Sequence, residues 1–304
     1  MKKATKILII TASILTAVGL IVFLIGMSVL DWDFRRLDAT DYTEMRYATT
    51  RDERVERVEL NLITFPLVVT TGTETVLKYY ESTNSDVKVE YVDGTLKVTE
   101  KYEYNPFKTG MFYNINRDMY KFVLSLPYNS DLIITGTNCD IYARSLDFKD
   151  ININVTNLDL ELRDCTADSL RIDATNAHVD LENCGISNVN IDATNADIDI
   201  VRGRYSTMLI DATNTHVDFD KVDAYSIELD ATNGNYVLED VTVDRLIASA
   251  INLNADLEIV GVKVEYTILT DGKGLPRPQT GTTDKLISLS GMNCDVDLDI
   301  RTFQ

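Results

Sequence analysis

The chain is poor in the residues from which most metal and catalytic centres are built. It has two His and four Cys among 304 residues, so neither a His-rich metal site nor a disulfide-dense scaffold fits it. Proline is scarce too. Only five occur, and none lies between 128 and 275, as expected where backbone N–H groups are needed in strand ladders. Positive charge is short: 29 Lys+Arg face 48 Asp+Glu, a formal net charge of −19. Binding a phosphate backbone needs a cationic surface, so nucleic acid is not an expected partner. Bulk disorder is excluded as well, since 45% of the residues are hydrophobic.

The charge is unevenly spread. Residues 1–30 hold three Lys and no acid, and 31–130 hold 17 acids against 13 bases. Residues 131–304 hold 31 acids against 13 bases. The acidity therefore belongs to the C-terminal half.

After Lys2, Lys3 and Lys6, the run Ile7–Leu30 carries no charge for 24 residues. At 1.5 Å per residue it can cross a hydrocarbon core of ~30 Å. It exceeds the apolar region of a cleavable signal, and Met27–Asp31 offers no small-x-small site. The expectation is an uncleaved signal-anchor over residues 1–30 in a cell membrane, followed by a polar juxtamembrane stalk over 31–54. The positive-inside rule keeps the three lysines in the cytoplasm and the rest of the chain outside it. Trp32 stands where an interfacial anchor would.

The dominant pattern is a repeat. Asn recurs at 138, 157, 176, 195, 214, 233 and 252, each 19 residues after the last. Ile172-Asp-Ala-Thr-Asn176 returns as Ile191–Asn195, Ile210–Asn214 and Leu229–Asn233. Units start at Leu132, Ile151, Leu170, Val189, Met208, Ile227 and Leu246. Positions 1, 3 and 5 are apolar between polar neighbours, which makes a strand with one buried face. Positions 10 and 12 give a second such strand, and position 15 a further inward point. A unit this short fits a single-stranded parallel β-solenoid, one 19-residue coil per repeat, over residues 131–304. Equal positions then stack ~4.8 Å apart. The Asn residues become a structural ladder, each amide donating to the next. The pattern returns at Ile287–Leu298 with Asn293 in phase. The extra length falls in a Gly/Pro loop at 271–283, read as an excursion from an eighth coil.

Residues 55–130 read as antiparallel strands forming an N-terminal β cap, which closes the open end of the solenoid. Val87–Thr99, with Asp93-Gly94 at its centre, is a hairpin signal. An alternative for the aromatic stretch Asn105–Arg117 is a contact patch.

The apolar N-terminal segment, the "Asp-Gly-Thr-Leu-Lys-Val" hairpin at 93–98, the "Phe-Val-Leu-Ser-Leu-Pro" strand at 122–127 and the Asn-bearing repeats together resemble the bacterial "putative adhesin" family of β-strand-repeat proteins, a domain of unknown function. The resemblance covers about residues 50–300 and carries no catalytic motif. It implies an envelope-associated β-solenoid with adhesion or envelope-stress associations.

Several rows are candidates for chemistry. Asp173, Asp192, Asp211 and Asp230 occupy position 4, and Glu161, Asp180, Asp199, Asp218 and Asp256 position 11. A straight carboxylate row does not converge as Ca²⁺ requires, so a diffuse counterion stripe is the favoured reading over a calcium site. His178, Asp197 and His216 share position 9. Two His ~9.6 Å apart reach one Zn²⁺ only under strain. Cys165 and Cys184 share position 15, where stacking permits a disulfide or two buried thiols. No cofactor and no catalytic residue is expected. The function read from these features is a non-enzymatic, adhesion-like or envelope-interacting role, with envelope proteins or cell-wall polymer as partners. Contact would run through a flat sheet face, the 271–283 loop with Lys273 and Arg277, or the aromatic cap. The alternatives are a polysaccharide-binding or polysaccharide-active protein and an accessory of an envelope-stress sensor.

Overall fold

A computed structural model describes residues 3–33, 41–49, 54–63, 66–82, 85–102, 120–127 and 129–302. The chain opens with helix α1 (Lys3–Val29). Its segment Thr5–Val29 is long and apolar enough to cross a membrane, and within it only Met27 is buried among the described residues. The helix ends where Asp31 and Trp32 take φ of 54° and 61° and the Trp32 N–H donates to the Met27 carbonyl at 2.8 Å. That left-handed turn satisfies an otherwise orphaned helix carbonyl.

The described residues after it are mainly β. The strands are β1 (Tyr42–Ala48), β2 (Arg57–Leu62), β3 (Leu67–Thr71), β4 (Val76–Ser82), β5 (Ser85–Val92), β6 (Thr95–Tyr102) and β7 (Phe122–Leu126). They continue with β8 (Asp131–Arg144), β9 (Asp150–Arg163), β10 (Thr166–Val260), β11 (Thr267–Asp271) and β12 (Leu286–Arg301).

β8, β9 and the first unit of β10 pair in parallel at an offset of one repeat, as in Leu132↔Ile151 and Ile151↔Leu170. β10 keeps strand backbone for 95 residues, which laid straight would be ~310 Å long. It winds instead. One end pairs with β9 through Ser169–Glu182 and the other with β12 through Arg245–Val260. Two corners turn each unit. At the first, the ladder skips position 6, so Thr137, Thr175 and Ile251 have no register partner. At the second, position 14 takes a left-handed conformation in Ser145, Asp164, Asn183, Arg202, Lys221 and Asp240, with φ of 53–57°. None of these is a glycine. The corner geometry therefore imposes a conformation that costs an L-residue about 1–2 kcal/mol.

The core runs the length of the stack. Positions 1, 3, 5, 10, 12 and 15 are inward, as their spacing indicates. Position 8 (Cys139, Leu158, Ala177, Ala196, Thr215, Leu253) and position 17 (Phe148, Ala167, Ile186, Tyr205, Ala224, Val243) are buried too.

Both ends depart from the sequence reading. Residues 55–130 are not simply antiparallel. β2 pairs in parallel with β8, Val58↔Leu132 and Leu60↔Ile134, and β3 with β8, Leu67↔Ile141. β6 and β7 lie in parallel on β2 and β3 in turn. Val58, Leu60 and Leu62 thus extend the columns of positions 1, 3 and 5, and two shortened layers precede the first repeat. Among the described residues at this end, the antiparallel pairings are β5–β6, β4–β7, β1–β4 and a single β4–β5 pair, Ser82↔Ser85. The 31–54 segment, expected as a stalk, contributes β1.

At the other end no eighth coil separates Asn252 from Asn293. β12 sits directly on the last unit of β10, Asn252↔Asn293, and β11 lies outside it, Ile268↔Ile287. In-phase side chains set this register, so the 41-residue step counts as a single unit in space. A late strand is thereby inserted between β10 and β11, just as β2 is held between β6 and β8.

Candidate functional site

The first corner of each unit builds the most regular surface on the molecule. Asn157 Nδ2 donates to Asn138 Oδ1 at 2.7 Å. The same bond recurs from Asn176, Asn195, Asn214, Asn233 and Asn252, each to the preceding Asn, at 2.6–2.9 Å. Asn293 closes the row by donating to Asn252 at 2.8 Å. Most of these side chains are exposed. Between the ends of the row each amide has one donor and one acceptor engaged, while Asn138 only accepts and Asn293 only donates.

A groove lies on each side of this ridge. One, of about 540 Å³, is floored by Leu158, Ala177, Ala196, Thr215 and Gly234 and walled by His178, Asp197, His216 and Asn235. Small side chains at position 8 leave it its depth. Thr215 lines it with a hydroxyl that is buried and has no hydrogen-bond partner. The other, of about 790 Å³, is floored by Ala174, Ala193, Ala212 and Ala231. Asp173, Asp192, Asp211 and Asp230 flank it, opposite the Thr residues of position 6.

The candidate residues thus fall into rows. The four position-4 aspartates are exposed and share one groove. The position-9 residues share the other. His178 Nδ1 stands 3.5 Å from Asp197 Oδ2. His216 Nδ1 is 2.7 Å from Asn235 Nδ2, and Asn254 donates to Asn235 at 2.6 Å. His216 thus accepts from an amide. Among the described residues, no three His, Cys, Asp or Glu side chains converge as a metal ion would need. In the position-11 row the carboxyl of Asp199 is held above the usual carboxylate range. Burial is the first cause, and the charges of Asp197 and Asp218 add to it against the pull of His178 and His216.

Cys165 and Cys184 lie in adjacent units but are free thiols. Each sulfur is turned to main chain: Cys165 Sγ donates to the Arg163 carbonyl at 3.2 Å and Cys184 Sγ to that of Leu162 at 3.3 Å. Burial pushes the Cys184 and Cys139 thiols up to about 12. Lys273 and Arg277 are exposed. The Asn105–Arg117 patch lies outside the described residues. The buried carboxylate of Glu100 is engaged, accepting from the Ile63 N–H at 2.7 Å and the Ser85 hydroxyl at 3.3 Å.

The sequence reading missed the grooves. Their signals were the small residues at position 8 for one groove and at position 5 for the other.

Solved structures that align with the chain do so at low identity. A "putative adhesin" from Bacteroides fragilis is 12% identical over 86% of this chain and 97% of its own, with a TM-score of 0.41. A "putative lipid binding protein" from Parabacteroides distasonis is 11% identical over 87% of this chain and 97% of its own, at 0.43. A "putative cell adhesion protein" from Clostridium sporogenes is 11% identical over 86% of this chain and 100% of its own, at 0.28. No curated protein matches the chain. The profile of the Toastrack DUF4097 family matches residues 55–255, which is most of the chain, and the chain belongs to that family.

Proposed function

We propose that this chain is a membrane-anchored, extracytoplasmic β-solenoid whose role is non-enzymatic contact with the envelope or with another surface. The observation that carries this reading is the unbroken row from Asn138 to Asn293, with an open groove on either side. Stacked equivalent positions offer an extended ligand the same chemistry every ~4.8 Å. They do not offer the concave, converging set of acid, base and nucleophile that a reaction centre needs. The N-terminal apolar helix supports single-pass anchoring with Lys2, Lys3 and Lys6 in the cytoplasm. The acidic rows Asp173–Asp230 act as a counterion stripe that keeps the stack soluble.

Cell-wall polymer and envelope proteins are the partner classes this surface suits. The test is pull-down by the full chain in detergent, against purified cell-wall fractions and against solubilised membrane proteins. Retention of either fraction supports the reading. Retention of neither overturns it, and release of reducing ends from the wall fraction replaces it with an enzymatic role. Protease added outside spheroplasts should digest the chain beyond residue 54 and spare it in intact inverted vesicles.

A further inference from the structure

The C-terminal end of the stack is half covered. β12 lies on the last unit of β10 along its length, from Arg245↔Leu286 to Val260↔Arg301. On its outer side β11 pairs only with Leu286–Ser290. The chain follows β12 a little further. Gly272 crosses the Gly291 carbonyl and Gly274 the Cys294 carbonyl, each so closely that a β-carbon would collide with the oxygen. Pro276 and Pro278 come next, and neither has an N–H to give to a ladder. Among the described residues, no strand pairs with the outer side of Asp295–Arg301.

The core registers this gap. Ile287 and Leu289, under β11, are fully buried. Val296 and Leu298 sit over Ala255 and Leu257, which are buried one unit below. Both are nevertheless only partly buried. Nearby, Leu269 and Met292 are 51% and 74% exposed. Unpaired backbone above an unfilled apolar layer is a template for one more strand.

Charge selects the occupant. Asp295, Asp297 and Asp299 are exposed and lie in register over Asn254, Asp256 and Glu258. A second copy of β12 would set its own aspartates against them, and like charges on facing strands oppose pairing.

We propose that Asp295–Arg301 docks an extended partner segment by strand addition. That segment alternates apolar residues, which complete the layer over Val296 and Leu298, with Lys or Arg facing Asp295, Asp297 and Asp299. The inference rests on the reading of the units as an open stack and adds to it the chemistry of the partner.

The test uses the full chain in detergent, a synthetic peptide of alternating Val and Lys, and a Val/Glu peptide as control. Hydrogen exchange of residues 294–301 is the readout. Exchange there should be fast in the free protein, slowed by the Val/Lys peptide and unchanged by the Val/Glu peptide. Combined Asp295→Asn, Asp297→Asn and Asp299→Asn should weaken Val/Lys binding about tenfold. The proposal fails if neither peptide, or both equally, protect these amides. It also fails if the triple variant binds as tightly, or if residues 294–301 are protected by self-association instead. If the free protein already protects 294–301 as strongly as 253–260, the edge is closed and the open-stack reading itself falls.

Discussion

The ring of Tyr236 lies where a side chain at Gly234 would have to go: a β-carbon on Gly234 would stand 2.6 Å from the Tyr236 Cζ. Gly234 holds position 8, where Ala196, Thr215 and Leu253 stand in other units, and Tyr236 holds position 10, where Ile198 and Val217 stand. Volume is traded between neighbouring inward places. Gly203 and Tyr205 repeat the exchange at positions 15 and 17, with a β-carbon on Gly203 2.7 Å from the Tyr205 hydroxyl. Gly234→Ala should therefore destabilise by about 1–3 kcal/mol through overpacking. In a Tyr236→Leu background the same change should cost much less. Urea denaturation of the four proteins measures this coupling, and equal costs in both backgrounds would refute it.

Asn195 sits mid-row, donating to Asn176 and accepting from Asn214. Asn195→Ala breaks both bonds. The partners are exposed and can rehydrate, so the loss should be about 1–2 kcal/mol rather than the penalty of a buried orphan. Asn293 makes one such bond, at the end of the row, and Asn293→Ala should lose about half as much. Equal losses at the two sites would show that the row contributes by something other than its pairwise bonds.

Much of this arrangement is legible in the sequence, for a definite reason. Parallel strands in register place equal positions side by side, so a residue recurring every 19 places becomes a spatial row. Asn176, Asp173 and His178 could each be assigned to a row on that ground alone. The second corner is not legible in this way. Its residues, Ser145, Asp164, Asn183, Arg202, Lys221 and Asp240, share a backbone conformation and no side-chain type. The ends are illegible for another reason. Spacing counts residues along the chain, whereas β2 is inserted between β6 and β8, neither its neighbour in the chain, and β12 is inserted between β10 and β11, which follow one another in the chain. The apolar pattern of Val58, Leu60 and Leu62 shows a strand but not which column it continues.

The cysteines should behave as inert core residues. Cys139, Cys165 and Cys184 are buried and Cys294 is partly exposed. With the Cys184 thiol pushed up to about 12, its thiolate fraction at pH 8 is about one in ten thousand. Iodoacetamide on the native protein should label Cys294 first and leave the other three unmodified until urea is added. Intact mass without reductant should show four free thiols. A native crosslink between Cys165 and Cys184 would contradict the geometry of their sulfurs.

Asp199 gives the stack a pH dependence of defined sign. Its carboxyl is held above the ordinary range, first by burial and then by Asp197 and Asp218. The folded protein therefore holds the proton more tightly than the unfolded chain does. The stability this group contributes is full below the unfolded carboxyl pKa of ~3.9. It is lost as pH rises through the higher folded value. Asp199→Asn removes the ionisation. It should raise the melting temperature at pH 7 and leave it nearly unchanged at pH 3.5. A variant melting lower than the parent at pH 7 would mean that the charge is compensated by His178 and His216.

The left-handed corner can be tested at Ser145, whose φ is 55° and whose N–H donates to the Arg163 carbonyl at 2.9 Å. The turn, rather than the serine side chain, sets this conformation, because five other residues of four types adopt it at the same position. A β-branched residue fits it worst, since two heavy atoms on the β-carbon crowd the following carbonyl. Ser145→Val should cost about 1–2 kcal/mol. Ser145→Gly relieves the strain, but its freer unfolded chain gives back about 0.5–1 kcal/mol. It should therefore leave stability level or slightly raised. The denaturation midpoint of the Val variant should fall below the parent's, and that of the Gly variant at or slightly above it. A Val variant as stable as the Gly variant would mean that the corner relaxes out of the left-handed region at no cost, and the fixed turn at position 14 would have to be abandoned.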